Sequence, residues 1–262
     1  MKLIHYTSLE GLYGILSTKK IRFTDARYLN DSSEIKEGIS KLGTALENLV
    51  FSSTINPQLK KGYEIVEQEF EDFEFFSEED DPFYVCSFSQ SADLLSQWRA
   101  YGPFAIEFCP DSLKNDGFQL FHCIYNEREK RQLALKQAAR VLKEIADHVA
   151  KNEYGIDYLD SVSEFTDLCV TFKNEGFKEE REIRCAEKIG WDLEQVHFNI
   201  SGNMLKPYIE KDFSCESLKT IYIGPTNDKK LAHRSIYTLL KQVCDNQEHE
   251  IKIIESEIPY RG

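Results

Sequence analysis

The sequence predicts an α+β protein, a mixed sheet core with helices and a helical insertion. Three observations point there. Short extended apolar segments and helical stripes interleave along the chain. Two long helical patterns, 127–152 and 158–173, stand together between groups of strands. The 262 residues hold only 7 Pro and 13 Gly, with no repeat and no linker. One domain over 1–262, with the insertion at 125–175, fits that length.

The elements follow from local patterns. Lys2–Tyr6 is short and apolar, a strand. Leu9, Leu12, Tyr13, Ile15 and Leu16 recur at helical spacing, with Ser8 placed to cap, and Lys20–Thr24 returns to an extended pattern. Asp31 and Glu34 form a capping-box pair that opens a helix with Ile35, Ile39, Leu42, Leu46 and Leu49 on one face. Phe83–Phe88 reads as a strand, about 92–101 as a helix ended by Gly102-Pro103, and Phe104–Cys109 as a strand. A strand near 118–124 precedes the insertion. Further strands are expected at 179–187, near 194–200, 205–210 and 218–223, then a helix near 228–245 and a strand at Ile251–Ile254.

Composition narrows the function. Lys and Arg number 32 against 45 Asp and Glu, a net charge of −13, so a nucleic-acid partner is not expected without a basic face. No apolar run approaches a membrane span, and the amino terminus lacks a signal-peptide core, so a cytoplasmic protein is expected. Seven cysteines without a CxxC read as reduced, mostly buried thiols, and the six histidines make no cluster, so no metal is expected. The absence of a His/Asp metal constellation disfavours a phosphodiesterase. Ten acids lie between Glu64 and Asp81, among Phe70, Phe73, Phe75 and Phe76. They read first as a solvated helix face and an acidic loop, or else as a surface for an unknown protein partner.

Four polar clusters sit at strand ends or turns, where binding groups are commonly held. The first is His5-Tyr6-Thr7-Ser8, in which His5 either caps a turn or meets a ribose hydroxyl. The second is Thr24-Asp25 with Tyr28, Asn30 and Asp31, residues that also satisfy turns. The third is Ser87-Phe88-Ser89 with Asp93, Gln97, Trp98 and Tyr101. Trp98 and Tyr101 share a helical face, either as core or as a stacking platform for a flat heterocycle. The fourth is Lys178–Arg184. As a strand it puts Glu180, Glu182 and Arg184 on one face, as cross-strand salt bridges or as a site carboxylate. Repulsion between the carboxylates should raise one pKa, and Arg184 should oppose that rise.

The blocks His5-Tyr6-Thr7-Ser8 with Gly14-Ile15-Leu16, Thr24-Asp25 through Tyr28-Leu29-Asn30-Asp31, Ser87-Phe88-Ser89 with Trp98 and Tyr101-Gly102, and Glu180 to Arg184 resemble an uncharacterised bacterial domain-of-unknown-function family. Some of its members lie in defence-like gene neighbourhoods. The likeness extends to Tyr222–Pro225 and to Pro259-Tyr260-Arg261, and Ile183 stands where that family usually has Trp.

A more distant likeness carries a mechanism. His5-Tyr6-Thr7, Gly14-Ile15-Leu16 and a short second strand are similar to the opening of ADP-ribosyltransferases of the poly-ADP-ribose polymerase or diphtheria-toxin type. The resemblance implies NAD as substrate, with His5 on the adenine-side ribose and the Tyr6 backbone on the nicotinamide amide. It implies Ser96 and Tyr101 as helix positions, and Glu180 or Glu182 as the carboxylate on the nicotinamide ribose. His5, Tyr6, Thr7, Tyr28, Ser87, Trp98, Tyr101 and Arg184 then bind the nucleotide, and Glu180 and Glu182 are catalytic. Tyr6 stands where the polymerase branch has glycine. The implied activity is an NAD-dependent ADP-ribosyltransferase or NAD glycohydrolase, with a defence or toxin-type effector as the expected setting. The competing expectations are a nucleotide sensor without turnover and a protein-interaction component using residues 64–81. The Gly224-Pro225 turn entering the last helix is expected to be capped by Asp228 and not to bind phosphate.

Overall fold

The computed structural model describes residues 1–29, 33–51, 57–79, 82–151, 157–190, 192–244 and 250–258. Asn30, the Asp31–Glu34 capping pair, the acids at 80 and 81, the side chains of Phe75 and Phe76, and the terminal Pro259-Tyr260-Arg261 lie outside the described residues.

The chain opens with β1 (Leu3–Thr7), α1 (Leu9–Thr18) and β2 (Lys20–Asp25). Ser8 caps α1 by accepting the Gly11 N–H at 3.1 Å, and Lys19 ends it in the left-handed region at φ 57°. Then come α2 (Ser33–Phe51), α3 (Pro57–Glu79), β3 (Tyr84–Ser89), α4 (Leu95–Tyr101) and β4 (Phe104–Phe108). Next are α5 (Pro110–Asn115), β5 (Phe121–His122), α6 (Glu127–Lys151), α7 (Asp157–Thr166) and β6 (Glu182–Glu187). The chain closes with β7 (His197–Ser201), β8 (Met204–Asp212), β9 (Leu218–Ile223), α8 (Lys229–Val243) and β10 (Lys252–Glu255).

Local patterning misplaces a few boundaries. The helix expected over 158–173 stops at Thr166 and tightens into a 3-10 turn over Asp167–Thr171. That turn swings Phe172 beside Ile124 in a parallel bridge and buries Cys169, Val170 and Phe172. The strand expected over 179–187 begins only at Glu182, because Glu175–Glu180 is a 3-10 turn closed by Arg181 at φ 45°. The strand expected over 118–124 shrinks to two residues. The six-residue α5, started by Pro110, is too short to show a periodicity.

The sheet order is β10-β9-β4-β1-β3-β2-β8-β7, with β6 on β3 and β5 on β6. All neighbours are antiparallel except β9 and β10. One edge of β3 pairs with β6 over six residues. Its other edge is shared: Tyr84 and Val85 pair with β2, and Ser89 pairs with Ile4 of β1. Along the residues between, β1 turns away to β4 and β2 to β8. The sheet therefore has a split, and its position is fixed by where two strands leave a third.

One core lies on the face of Leu3, Ile21, Phe23, Phe88, Ile106, Ile183 and Ile221, under α1, α5 and α8. On the opposite face of β3, Val85 joins a second core built by α2, α3, α6 and α7. The insertion thus shares its core with α2 and α3. The predicted stripe on α2 packs here through Ile39, Leu42 and Leu46, against Val66 and Phe70 of α3. Phe73 leaves the acidic face too: its ring lies 4.2 Å from Lys188 Nζ. A third cluster holds Ile4, Tyr6, Trp98, Ala105 and Tyr222.

The cysteine expectation needs one correction. Cys215 and Cys244 form a disulfide between the start of β9 and the end of α8, with Cα atoms 6.2 Å apart. Sequence spacing could not pair residues 29 positions apart. Cys86, Cys169 and Cys185 are buried thiols, as expected. Among the described residues no helix is long and apolar enough to cross a membrane.

Candidate active site

Pairing phase determines what the split exposes. The Gln90 N–H donates to the Arg181 carbonyl, so even-numbered β3 residues turn their backbone groups toward β6. Val85, Ser87 and Ser89 then point theirs at the split edge. Val85 meets β2 and Ser89 meets β1, but neither strand is in register with Ser87. The His5 side chain fills that place: its Nδ1 lies 3.1 Å from the Ser87 carbonyl oxygen. Burial lowers the His5 pKa, against the carbonyl contact that raises it. The ring is therefore neutral with the proton on Nδ1, which leaves Nε2 a lone-pair acceptor. A ligand hydroxyl meeting Nε2 would donate to it. The ring stacks edge-on to Phe88 at 5.8 Å and stays half-buried.

The Ser87 side chain emerges on the Val85 face of β3, opposite Phe88, and donates to Glu182 Oε1. Glu182 is buried and carries two cations. Arg184 Nε donates to it at 2.8 Å, and Lys173 Nζ donates to its other oxygen. Arg184 is itself tied to the Val170 carbonyl at 3.0 Å, and Lys173 also pairs with Glu180 at 2.7 Å. The Glu182 backbone N–H donates to the Tyr125 hydroxyl at 2.7 Å.

Burial alone would raise the Glu182 pKa, but Arg184 and Lys173 pull it down to about 2. Burial would lower the Lys173 pKa, yet Glu182 and Glu180 hold it above its ordinary value. The repulsion expected between the two glutamates is thus overcome, because a lysine sits between them.

The two glutamates differ in access. The Glu180 side chain is 17 % exposed and that of Glu182 is 5 % exposed. Glu180 lies in the 3-10 turn before β6, and its carbonyl accepts from the Ser89 hydroxyl at 2.7 Å. Lys178 and Arg181 beside it are exposed, and the Phe177 ring lies 5.1 Å from Lys173 Nζ.

The structure thus joins Ser87, Glu182 and Arg184 on the β3–β6 pair, with His5 reaching the Ser87 carbonyl from β1 and Glu180 in the turn before β6. Tyr6 and Trp98 stand elsewhere. Their rings meet at 4.6 Å in the third core, and Trp98 Nε1 donates to Asp93 at 2.7 Å. A Cβ on Gly224 would lie 2.8 Å from the Trp98 ring, so that ring is core and not a stacking platform. Tyr6 donates to the Ser91 carbonyl at 2.7 Å, and burial lifts its pKa to about 12. Thr7 is buried at the end of β1, Tyr101 is exposed at the end of α4, and Tyr28 ends the turn after β2. Ser96 lies in the first turn of α4. Asp228 caps α8 through the Leu231 N–H, as expected.

Lys173 and Tyr125 complete the cluster and were not among the sequence candidates, whereas Ser89, which binds the Glu180 carbonyl, was. A lysine nine residues before Glu182 has no periodic relation to a strand, and the 3-10 turn between them is what folds it back.

Residues 97–185 match a family model described as Protein of unknown function (DUF2971). No curated protein and no solved structure matches the chain. The matched stretch runs from α4 into β6, so it carries Tyr125, Lys173, Glu180, Glu182 and Arg184, while His5 and Ser87 lie outside it. Over that third of its length the chain is similar to an uncharacterised domain-of-unknown-function family.

Proposed function

We propose that the chain is an NAD-dependent ADP-ribosyltransferase or NAD glycohydrolase whose site lies at the split beside β3. The observation that carries this reading is the convergence of His5 and Glu182 on Ser87. Ser87 thereby ties the β1 histidine to Glu182, which through Lys173 fixes the neighbouring Glu180 carboxylate.

In this reading His5 Nε2 accepts a hydroxyl of the adenine-side ribose. The exposed Lys178 and Arg181 supply positive charge for the pyrophosphate. Glu180, the more exposed carboxylate, faces the nicotinamide ribose. Glu182 is a positioning residue that fixes Lys173 and Ser87. As the bond from the ribose carbon to nicotinamide breaks, positive charge spreads over the ring, and a carboxylate held in place beforehand stabilises it. Nicotinamide leaves with the bonding electron pair, and a nucleophile, either water or an acceptor group, takes its place.

A second reading, a nucleotide sensor without turnover, is favoured by one observation: Lys173 is ion-paired with both carboxylates. Nicotinamide release from NAD by purified protein separates the two. Release lost in Glu180→Gln with NAD binding retained supports the enzyme. Binding without release in the wild type supports the sensor.

A further inference from the structure

The far edge of the sheet carries a feature unrelated to the split. β7 and β8 form a hairpin joined by Gly202-Asn203, with Gly202 at φ 59° and Asn203 outside the positive region, as a type II′ turn requires. The hairpin projects past the sheet. The last pair of β8 with β2 is Thr24 with Tyr208, so among the described residues, 204–207 pair with no strand but β7. Pro207, which has no N–H to donate, sits where that pairing has ended.

β7 is the terminal strand, and its outer edge meets no other strand among the described residues. Natural edges are usually guarded by charge, proline or a bulge. The β7 sequence, His197 to Ser201, has none of these. Phe198, Ile200 and Leu205 are 60 %, 77 % and 58 % exposed. Phe198 is opposite Pro207 and Ile200 opposite Leu205, so all four share one face.

We propose that this edge pairs with the same edge of a second copy of the chain, joining two sheets about a two-fold axis through Asn199. The hydrogen-bond phase selects that register. A two-residue turn makes Ser201 and Met204 a hydrogen-bonded pair, so residues 197, 199 and 201 bond inward to β8. The N–H and C=O groups of Phe198 and Ile200 therefore point outward. Antiparallel pairing of Phe198 with the second copy's Ile200, and the reverse, satisfies those groups with four hydrogen bonds. It also sets an aromatic ring against a β-branched side chain on one continuous apolar face. The contact is isologous, so it closes at two copies. Each copy carries −13 overall, but the strand itself has no charged residue, so no carboxylates are opposed across the axis.

The test is sedimentation of the full chain from about 1 to 100 μM, the range in which modest interfaces associate, with two variants. Ile200→Lys places a cation opposite Phe198 of the other copy and should leave a folded monomer. Asn199→Cys lies on the axis, where the non-hydrogen-bonded pair spacing of about 4.5 Å lies within disulfide reach. Mild oxidation should cross-link it, while Ser201→Cys, which would face His197, should not. A concentration-dependent wild-type dimer, lost in Ile200→Lys and cross-linked through position 199, supports the pairing. A wild type that stays monomeric throughout, or a dimer that survives Ile200→Lys and gives no cross-link at 199, overturns it.

Discussion

His5 and Glu182 are both anchored on Ser87, the first through its carbonyl and the second through its hydroxyl. One residue in the split thus sets both the histidine of β1 and the carboxylate of β6. Ser87→Ala removes only the second anchor. It should cost about 1–3 kcal/mol, the cost of leaving a buried acceptor short of a donor. The measurement is the urea midpoint at neutral pH. His5 should remain in place, because the carbonyl it contacts is unchanged.

The cluster around Glu182 should behave as a unit. Glu182→Gln leaves Lys173 and Arg184 without their shared buried counter-charge and should destabilise by about 3–5 kcal/mol. Lys173→Met alone leaves Glu182 still paired with Arg184 and should cost less. The double variant should fall short of the sum, since each change removes the reason for the other's penalty. Additive losses would show that the two side chains are not coupled.

Two groups of the cluster contribute to the loss of stability in acid. The folded His5 pKa lies below its ordinary 6.5, so the unfolded chain takes up a proton first as pH falls. Stability should therefore begin to decline below about pH 6.5, and His5→Gln should flatten that part of the profile. Glu182 titrates at about 2 when folded, against 4.5 ordinarily. Its contribution is complete above the higher value and disappears as pH falls toward the lower one. The loss should amount to a few kcal/mol over that window, since each pKa unit corresponds to about 1.4 kcal/mol. Denaturant midpoints from about pH 7 down to about pH 2 give both segments.

The Cys215–Cys244 bond closes a loop of 29 positions. Cross-linking such a loop should contribute roughly 3–4 kcal/mol. Reductant should lower the melting temperature of the wild type and leave a Cys215→Ser, Cys244→Ser variant unmoved. A reductant-insensitive wild type would mean that the two thiols are not bonded in solution.

Much of the fold was legible from periodicity. The stripe on α2, the Ser8 and Asp228 caps and the strands from β1 to β4 follow from spacing that local geometry enforces. The alternation through Glu182, Ile183 and Arg184 also held, since Ile183 faces one core and its neighbours the other face. The split in the sheet was not legible, because it depends on how β1 and β2 share one edge of β3, a relation between distant segments. Lys173 was hidden for a similar reason: only the turn at Glu175–Glu180 brings it back between two glutamates. Trp98 shows the limit of residue type alone. An aromatic on a short helix fits a platform or a core equally well, and Gly224 packed on its ring decides for the core.

The most direct test of the proposed activity is nicotinamide release from NAD, followed for the wild type and for Glu180→Gln. Glu180 is partly exposed, so its substitution should leave the fold intact, as the melting temperature would verify. The wild type should release nicotinamide and the variant should lose at least about tenfold of that rate, equivalent to about 1.4 kcal/mol of transition-state stabilisation, with NAD still bound. Equal release by both proteins, or no binding of NAD by either, would contradict the proposed activity.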